Sequence, residues 1–138
     1  MKIFELPSEH GHLRGAIWDN VKNPKGTIQI AHGLVEYHDR YDEFAKFLNE
    51  HGYIVYCNDH LGHGLHVKKG ELKGYFADEN GYEAVVDQLA EMNSVIRKAH
   101  PSLNHFFIGH SLGTALGLSF LKRNLSLIHI SEPTRRAI

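Results

Sequence analysis

Long apolar runs and clustered charge are both missing from this sequence. No window of the 138-residue chain approaches the length of a bilayer-spanning helix, and the N-terminal residues "MKIFELPSEHGHLRG" carry charges where a signal peptide would be apolar. Fifteen basic residues against sixteen acidic ones leave a formal charge of -1, so the chain lacks the basic surplus typical of nucleic-acid or membrane-surface binding. We therefore expect no nucleic-acid partner and no integral membrane segment.

Cysteine and metal-binding motifs are also scarce. The single cysteine, Cys57, cannot form an internal disulfide, which favours a cytoplasmic location, and its place in an apolar run predicts a core residue. Histidines number 12, but His60, His63 and His66 follow neither HExxH nor Cys/His-finger spacing. We interpret them as ordinary surface and loop histidines, and we expect no metal and no cofactor.

What the sequence does contain is a regular alternation of strand and helix patterns. An alternating segment at 12–19, with a turn signal in "VKNPKG", predicts a hairpin at the N-terminus. Asp78 and Asn80 are candidate N-caps of the second helix. Buried-strand patterns occur at 27–31, 53–59 and 105–108, and helical spacing occurs at 41–51, 81–100 and 114–121. This alternation predicts one α/β domain with a mostly parallel, doubly wound sheet.

A serine lies between two glycines in Gly109-His110-Ser111-Leu112-Gly113, after a predicted strand and before a predicted helix. This is the context of the GxSxG nucleophile elbow, whose strained turn lifts the hydroxyl clear of the sheet. The glycines are needed where a Cβ would collide with the neighbouring strand or helix. The backbone N–H after the serine, at a helix N-terminus, can stabilise a developing oxyanion. The alternative is a small serine that only permits close packing.

A second segment, "IAHGLVEYHDRY", follows the strand that ends near Ala31. A loop in this place supplies the other oxyanion donor of an elbow-type site. We expect Gly33 to let the backbone turn so that the N–H of Leu34 faces the serine. His32 is interpreted as a hydrogen-bonding support of this loop and not as the catalytic base. An ordinary strand-to-loop glycine is the alternative.

The two segments, together with "NDHLGHG", make the chain resemble the α/β-hydrolase group that contains monoglyceride lipases, lysophospholipase-like hydrolases and serine aminopeptidases. The resemblance runs from the N-terminus to about Asn124. It implies an α/β-hydrolase fold with Ser111 as the nucleophile and the backbone N–H groups of Leu34 and Leu112 as the oxyanion hole. The residues expected to support the site are His32, Gly33, Gly109, His110 and Gly113.

Outside the elbow, the resemblance implies that Asp59 and His63 brace a loop and take no part in catalysis. The sequence departs mildly from the group at His60-Leu61, where many members carry arginine, and at Thr114, which replaces a glycine. The implied activity is hydrolysis of small-molecule esters, such as a monoacylglycerol or a lysophospholipid, through an acyl-enzyme and without a cofactor. A peptidase of the same fold and a non-catalytic binding module are the alternatives. Oligomeric state is not predicted.

The sequence after Ser111 lacks the acid and then the histidine that this fold would place there, because His129 precedes Glu132. The segment "LSLIHISEPTR", residues 125–135, matches the translation of a transposon-end adapter used in preparing DNA sequencing libraries. We interpret residues 1–124 as the N-terminal portion of an α/β-hydrolase domain, truncated after the elbow helix, and 125–138 as a non-native tail. A genuine amphipathic strand is the alternative, since "LSLIHI" alternates. We expect both triad partners to be absent and this chain alone to be inactive.

Overall fold

The computed structural model describes residues 1–68 and 73–124. Residues 125–138, interpreted above as a tail, lie outside the described part. Three helices surround the sheet: α1 (Asp42–Glu50), α2 (Gly81–Ala99) and α3 (Leu112–Arg123). Short 3-10 turns occur at His38–Tyr41 and Gly64–His66. The sheet has five strands in the order β1-β2-β4-β3-β5, namely β1 (Lys2–Ser8), β2 (Gly11–Trp18), β3 (Gly26–Ala31), β4 (Tyr53–Asn58) and β5 (Asn104–Gly109).

The N-terminal hairpin exists, but its partners differ from what the turn signal suggested. Strands β1 and β2 pair in antiparallel register from Lys2 opposite Ile17 to Ser8 opposite Gly11. The segment "VKNPKG" links β2 to β3, and these two strands are separated in the sheet by β4. Strand β1 escaped prediction because its exposed, charge-containing sequence carries little apolar alternation.

The other strands and all three helices occur where the sequence predicted them. Strands β3, β4 and β5 are parallel, with β3 in the middle. Every residue of β3 is buried, as expected for a strand covered on both faces. Asn80 does occupy the N-cap position of α2, but it has a left-handed backbone and its side chain makes no capping hydrogen bond.

Helices cover both faces of the sheet, which confirms the doubly wound architecture. Helix α1 packs Ala45 against one face, where Ile28 and Ile30 of β3 also point. Helices α2 and α3 cover the opposite face, where the buried side chains include Leu89 and Leu116. Cys57 is fully buried in the core, as predicted, and burial raises the pKa of its thiol. Within the described residues, no helix has both the length and the apolarity needed to cross a bilayer.

The strand order reverses direction at β3, and this reversal determines where a ligand site can form. The chain runs from β3 through α1 to β4 on one side, and then through α2 to β5 on the other side of β3. The loops that leave the carboxyl ends of β3 and β5 therefore diverge from neighbouring points and leave a crevice between them. The segments "HGLVE" and "GHSLG" are these two loops.

A buried polar contact joins the sheet to α2. Gln29 of β3 is 1% exposed, and its amide donates to the carbonyl of Leu89 at 3.0 Å. Asn93, one turn further along α2, donates to the Gln29 side-chain oxygen at 3.1 Å. Each amide thus satisfies part of the other's hydrogen-bonding capacity in a region without water access.

We expect Asn93→Leu to lower the free energy of unfolding by about 1–3 kcal/mol, because it leaves the Gln29 oxygen buried without its donor. Gln29→Leu should cost a similar amount. The double variant should be less destabilised than the sum of the two single variants, because no unpaired partner remains. Urea unfolding of the four proteins measures the coupling energy, and strictly additive effects would contradict the assignment.

Candidate active site

Ser111 lies on a strained turn between β5 and α3. Its backbone angles are φ 55 and ψ -118, a region that residues with a Cβ rarely adopt. Serine at a helix N-cap ordinarily accepts a hydrogen bond from the first turn, but the Ser111 side chain makes no such bond. The residue is exposed. The hydroxyl is therefore presented to solvent and is not used to stabilise the helix.

Space around the turn excludes a side chain at two positions. A Cβ on Gly113 would lie 1.9 Å from the carbonyl oxygen of Ala31, and one on Gly109 would lie 2.6 Å from the carbonyl oxygen of Gly113. Both obstacles are backbone atoms, which cannot rotate away as a flexible side chain can. Gly113 thus lets α3 approach the end of β3, and Gly109 lets the first turn of α3 lie against the end of β5.

The loop after β3 lies against the elbow. The backbone N–H of His110 donates to the carbonyl of Ala31 at 3.1 Å, which joins the two loops at their bases. Within the described residues, neither the N–H of Leu34 nor that of Leu112 contacts a hydrogen-bond acceptor. Both donors are available for a ligand.

The left-handed residue of this loop is Val35, with φ 53, and not Gly33, to which the sequence analysis assigned the turn. Gly33 is required for a different reason. A Cβ there would lie 3.0 Å from Glu36 Oε1 and 3.3 Å from His110 Nδ1, so the glycine leaves room for the contact between these two side chains.

Glu36 collects hydrogen bonds from both loops. Its carboxylate accepts from the Gly33 backbone N–H, from the Tyr41 hydroxyl and, at 2.9 Å, from Arg40 Nε. His110, next to the elbow serine, lies 3.3 Å away through Nδ1. Burial opposes ionisation, but the hydrogen bonds from Tyr41, Gly33 and His110 outweigh it and lower the pKa of Glu36.

This role of Glu36 was missed in the sequence analysis, which treated the residue only as part of a family-like motif. Its local signal was a carboxylate three residues after the "HG" pair, with a cation four residues later. The contact with His110 spans 74 positions and has no local signal.

A layer of buried histidines lies beneath the two loops. His60 and His63 were interpreted as ordinary surface and loop histidines, and they do lie in a loop, but they are not at the surface. His60 is 0% exposed and His63 is 3% exposed, and both pack against His32, which is also 0% exposed. Ring centroids are 3.8 Å apart for His32 and His60 and 5.2 Å apart for His32 and His63. Burial lowers the pKa of His32 to about 4. Burial and then the adjacent His32 lower the pKa of His60.

Asp59 braces the neighbouring loops, as the sequence analysis expected. Its carboxylate accepts from the backbone N–H of His38 at 2.9 Å, from the His38 ring at 3.0 Å and from the backbone N–H of Leu65 at 3.0 Å. His63 Nδ1 contacts the carbonyl of Leu61 within its own loop. Asp59 is fully buried and has no contact with the serine, so it acts on loop geometry alone.

No general base contacts the serine within residues 1–68 and 73–124. Neither a histidine nitrogen nor a carboxylate oxygen of these residues forms a hydrogen bond with Ser111 Oγ. Glu9, His10 and Asp87 are the single group of ligand-type side chains within metal-binding distance in this part of the chain, and they lie where the β1–β2 turn meets α2. The described residues thus include an exposed Ser111 and no base in contact with its hydroxyl.

The buried histidines make stability sensitive to acid. Because the folded state depresses the pKa of His32 from 6.5 to about 4, the unfolded chain binds a proton in this window that the folded chain does not. The free energy of unfolding should therefore fall as pH falls through the window, by about 1.4 kcal/mol per pH unit for each such histidine. Urea unfolding at about pH 7 and about pH 5 measures the difference.

Replacing one histidine of the layer should reduce this pH dependence. We expect His60→Gln to shrink the stability difference between the two pH values, whereas His51→Gln, at an exposed site at the end of α1, should leave it unchanged. An equal pH dependence in all three proteins would mean that the buried histidines titrate normally.

The family described as serine aminopeptidase, S33, matches this chain over residues 22–130. The match ends six residues inside the segment interpreted as a tail, whose origin stays a prediction. Rat monoglyceride lipase is 30% identical over 101 residues, which cover 73% of this chain and 31% of the relative. A monoglyceride lipase homolog of monkeypox virus is 32% identical over 116 residues, which cover 84% of this chain and 39% of the relative. The chain thus spans between 31% and 39% of the length of these two relatives.

Solved structures give the same picture for the fold. A thermostable carboxyl esterase from Bacillus coagulans superposes with a TM-score of 0.77 and 26% identity, covering 86% of this chain and 39% of the esterase. A soluble variant of monoglyceride lipase from Saccharomyces cerevisiae superposes with a TM-score of 0.78 and 21% identity, covering 94% of this chain and 42% of the lipase. At that identity the second likeness concerns the fold alone.

Proposed function

This chain belongs to the serine aminopeptidase S33 family and has the α/β-hydrolase fold, and from this premise we propose that it forms the nucleophile-bearing part of a serine ester hydrolase. The observation that carries the proposal is Ser111, an exposed serine with a strained backbone and a hydroxyl unused by the helix that it begins. Strain of about 1–3 kcal/mol at one residue persists only where the surrounding structure imposes it.

In the proposed reaction, Ser111 Oγ attacks the ester carbonyl carbon while a base takes the hydroxyl proton. The backbone N–H groups of Leu34 and Leu112 donate to the oxyanion of the tetrahedral intermediate. The intermediate collapses with loss of the alcohol, which receives the proton, and leaves an acyl-enzyme. Water then attacks the acyl carbon, the second tetrahedral intermediate collapses, and the carboxylic acid and free Ser111 are regenerated. No cofactor takes part.

The acid and the histidine of the triad are proposed to come from chain that is not among these 138 residues. Support comes from the order of residues after Ser111, where His129 precedes Glu132, and from relatives about three times as long as the matched segment. We use "intact enzyme" below for this segment together with the chain that completes the triad. The 138-residue chain alone should show no turnover, because an unactivated serine is a weak nucleophile.

The substrate class is proposed to be small esters of fatty acids, such as monoacylglycerols or lysophospholipids. Relatives at 30% and 32% identity are a monoglyceride lipase and a monoglyceride lipase homolog. Leu34 and Val35, on the loop that carries one oxyanion donor, are 55% and 78% exposed. Apolar side chains in that position provide a surface for an acyl chain. We place the enzyme in the cytoplasm, with the single unpaired Cys57 as the support.

The test is reaction of the intact enzyme with a fluorophosphonate probe and with a monoacylglycerol. Ser111→Ala should abolish labelling and lower hydrolysis by a factor of about 1,000 or more, because the nucleophile is removed. Ser119→Ala, which removes a serine from the same helix, is the matched control and should retain both. Labelling that survives Ser111→Ala would contradict the assignment. A folded intact enzyme that never labels would instead identify a non-catalytic binding module.

The description of the matched family favours one second candidate, a peptidase that removes an N-terminal residue. Both reactions use the same elbow, so substrate preference separates them. We expect the intact enzyme to hydrolyse a monoacylglycerol or a p-nitrophenyl ester with a higher kcat/KM than the matching aminoacyl p-nitroanilide. A higher value for the anilide would assign the peptidase activity.

A further inference from the structure

His60 holds His32 through two hydrogen bonds that run in opposite directions. The backbone N–H of His60 donates to His32 Nε2 at 2.9 Å, and His60 Nε2 contacts the backbone carbonyl of His32 at 2.8 Å. The two rings are in contact and both are fully buried. The sequence analysis interpreted His60 as one of the ordinary surface and loop histidines and as part of a departure from the arginine of many relatives.

These contacts permit one tautomer for each ring. His32 Nε2 accepts a hydrogen bond, so its proton is on Nδ1, which donates to the carbonyl of Gly33 at 2.7 Å. His60 Nε2 must carry a proton in order to donate to a carbonyl. Burial favours the neutral form of His60, in which Nδ1 is unprotonated, and among the described residues Nδ1 has no partner. Both rings are neutral, which agrees with the lowered pKa values that burial gives them.

The carbonyl held by His32 belongs to the peptide group that carries the Leu34 N–H. A peptide group is planar, and in the trans form its C=O and N–H point in opposite directions. The described chain contains no cis peptide. When His32 Nδ1 holds the Gly33 oxygen, the Leu34 N–H must therefore point away from the histidine layer. The buried His32 ring therefore determines the direction in which the proposed oxyanion donor, the Leu34 N–H, points.

We propose that His60 is a positioning residue of the reaction, which keeps His32 in one orientation and one tautomer so that the Gly33–Leu34 peptide presents its N–H to the oxyanion. This inference rests on the proposed function. His60 does not touch substrate, and it acts through His32. Loss of its side chain should reduce transition-state stabilisation more than substrate binding, because the oxyanion exists only after attack.

Other ionisable groups around the pair do not replace these bonds. Asp59 and Glu36 favour the protonated form of His32, while His63 opposes it. His63 and His66 oppose protonation of His60. Neither carboxylate is hydrogen-bonded to the ring of His32 or of His60. Asp59 accepts hydrogen bonds from His38 and Leu65. Glu36 accepts from donors of its own loop and from His110.

The test compares His60→Leu and His60→Gln in the intact enzyme. His60→Leu removes the side-chain hydrogen bond to the His32 carbonyl and the ring contact, while the backbone bond to His32 Nε2 does not depend on the side chain. We expect kcat to fall about 10- to 100-fold, less than the full loss of one oxyanion donor, with KM changed by no more than about threefold. His60→Gln can place an amide N–H near the former Nε2 position and should recover most of the lost kcat. Chemical shifts of the ring nitrogens in the wild-type enzyme should show His32 protonated at Nδ1 and His60 at Nε2.

Ile96→Ala is the matched control for stability, because Ile96 is buried in α2 and has no part in the loop. It should lower stability with kcat per folded enzyme unchanged. Two results would overturn the inference: a wild-type kcat in His60→Leu, or a His32 ring protonated at Nε2 in the wild-type enzyme. The second result is measured on the wild-type enzyme, so it stands even if His60→Leu fails to fold. Undiminished hydrolysis in Ser111→Ala would overturn the proposed function itself, which is a distinguishable result.

Discussion

The close approach of α3 to the end of β3 is the constraint on which the site depends. Gly113 leaves no space for a side chain against the Ala31 carbonyl, and His110 donates its backbone N–H to that same carbonyl. The contact brings the loop after β3 and the elbow after β5 to one point, where the strand order reverses. Ser111, between these elements, has a positive φ of 55° and is exposed.

Beneath that contact lies a polar layer that would be costly to bury if its groups were unpaired. The structure pairs many of these groups, although His60 Nδ1 and His63 Nε2 are buried without a partner among the described residues. Asp59 and Glu36 accept several donors each, and His32 and His60 are paired as neutral rings. Such networks have few alternative arrangements, because shifting one member leaves another unsatisfied. A buried hydrogen-bonded layer therefore gives the loop after β3 a defined geometry that exposed loop residues alone would not have.

Sequence patterns located most elements because their signals are local. Helix α2 followed from its apolar spacing, and β4 from a continuous apolar run. Strand β1 was missed, since its main stabilisation is pairing with β2, a tertiary contact. The motif around Ser111 was visible in the sequence with its correct context. The roles of Glu36 and His60 were not, because their partners lie 74 and 28 positions away.

By itself the sequence determined the class of fold, the alternation of strands and helices after β1, and the place of Ser111 between a strand and a helix, because apolar periodicity and glycine spacing are properties of neighbouring residues. Only the tertiary structure decided which strands pair in the hairpin, which loop residue is left-handed and which histidines are buried. These depend on the space and the hydrogen-bond partners that distant segments provide. A histidine in a polar loop has the same sequence whether water or another imidazole surrounds it, and only the structure shows that His60 is buried against His32.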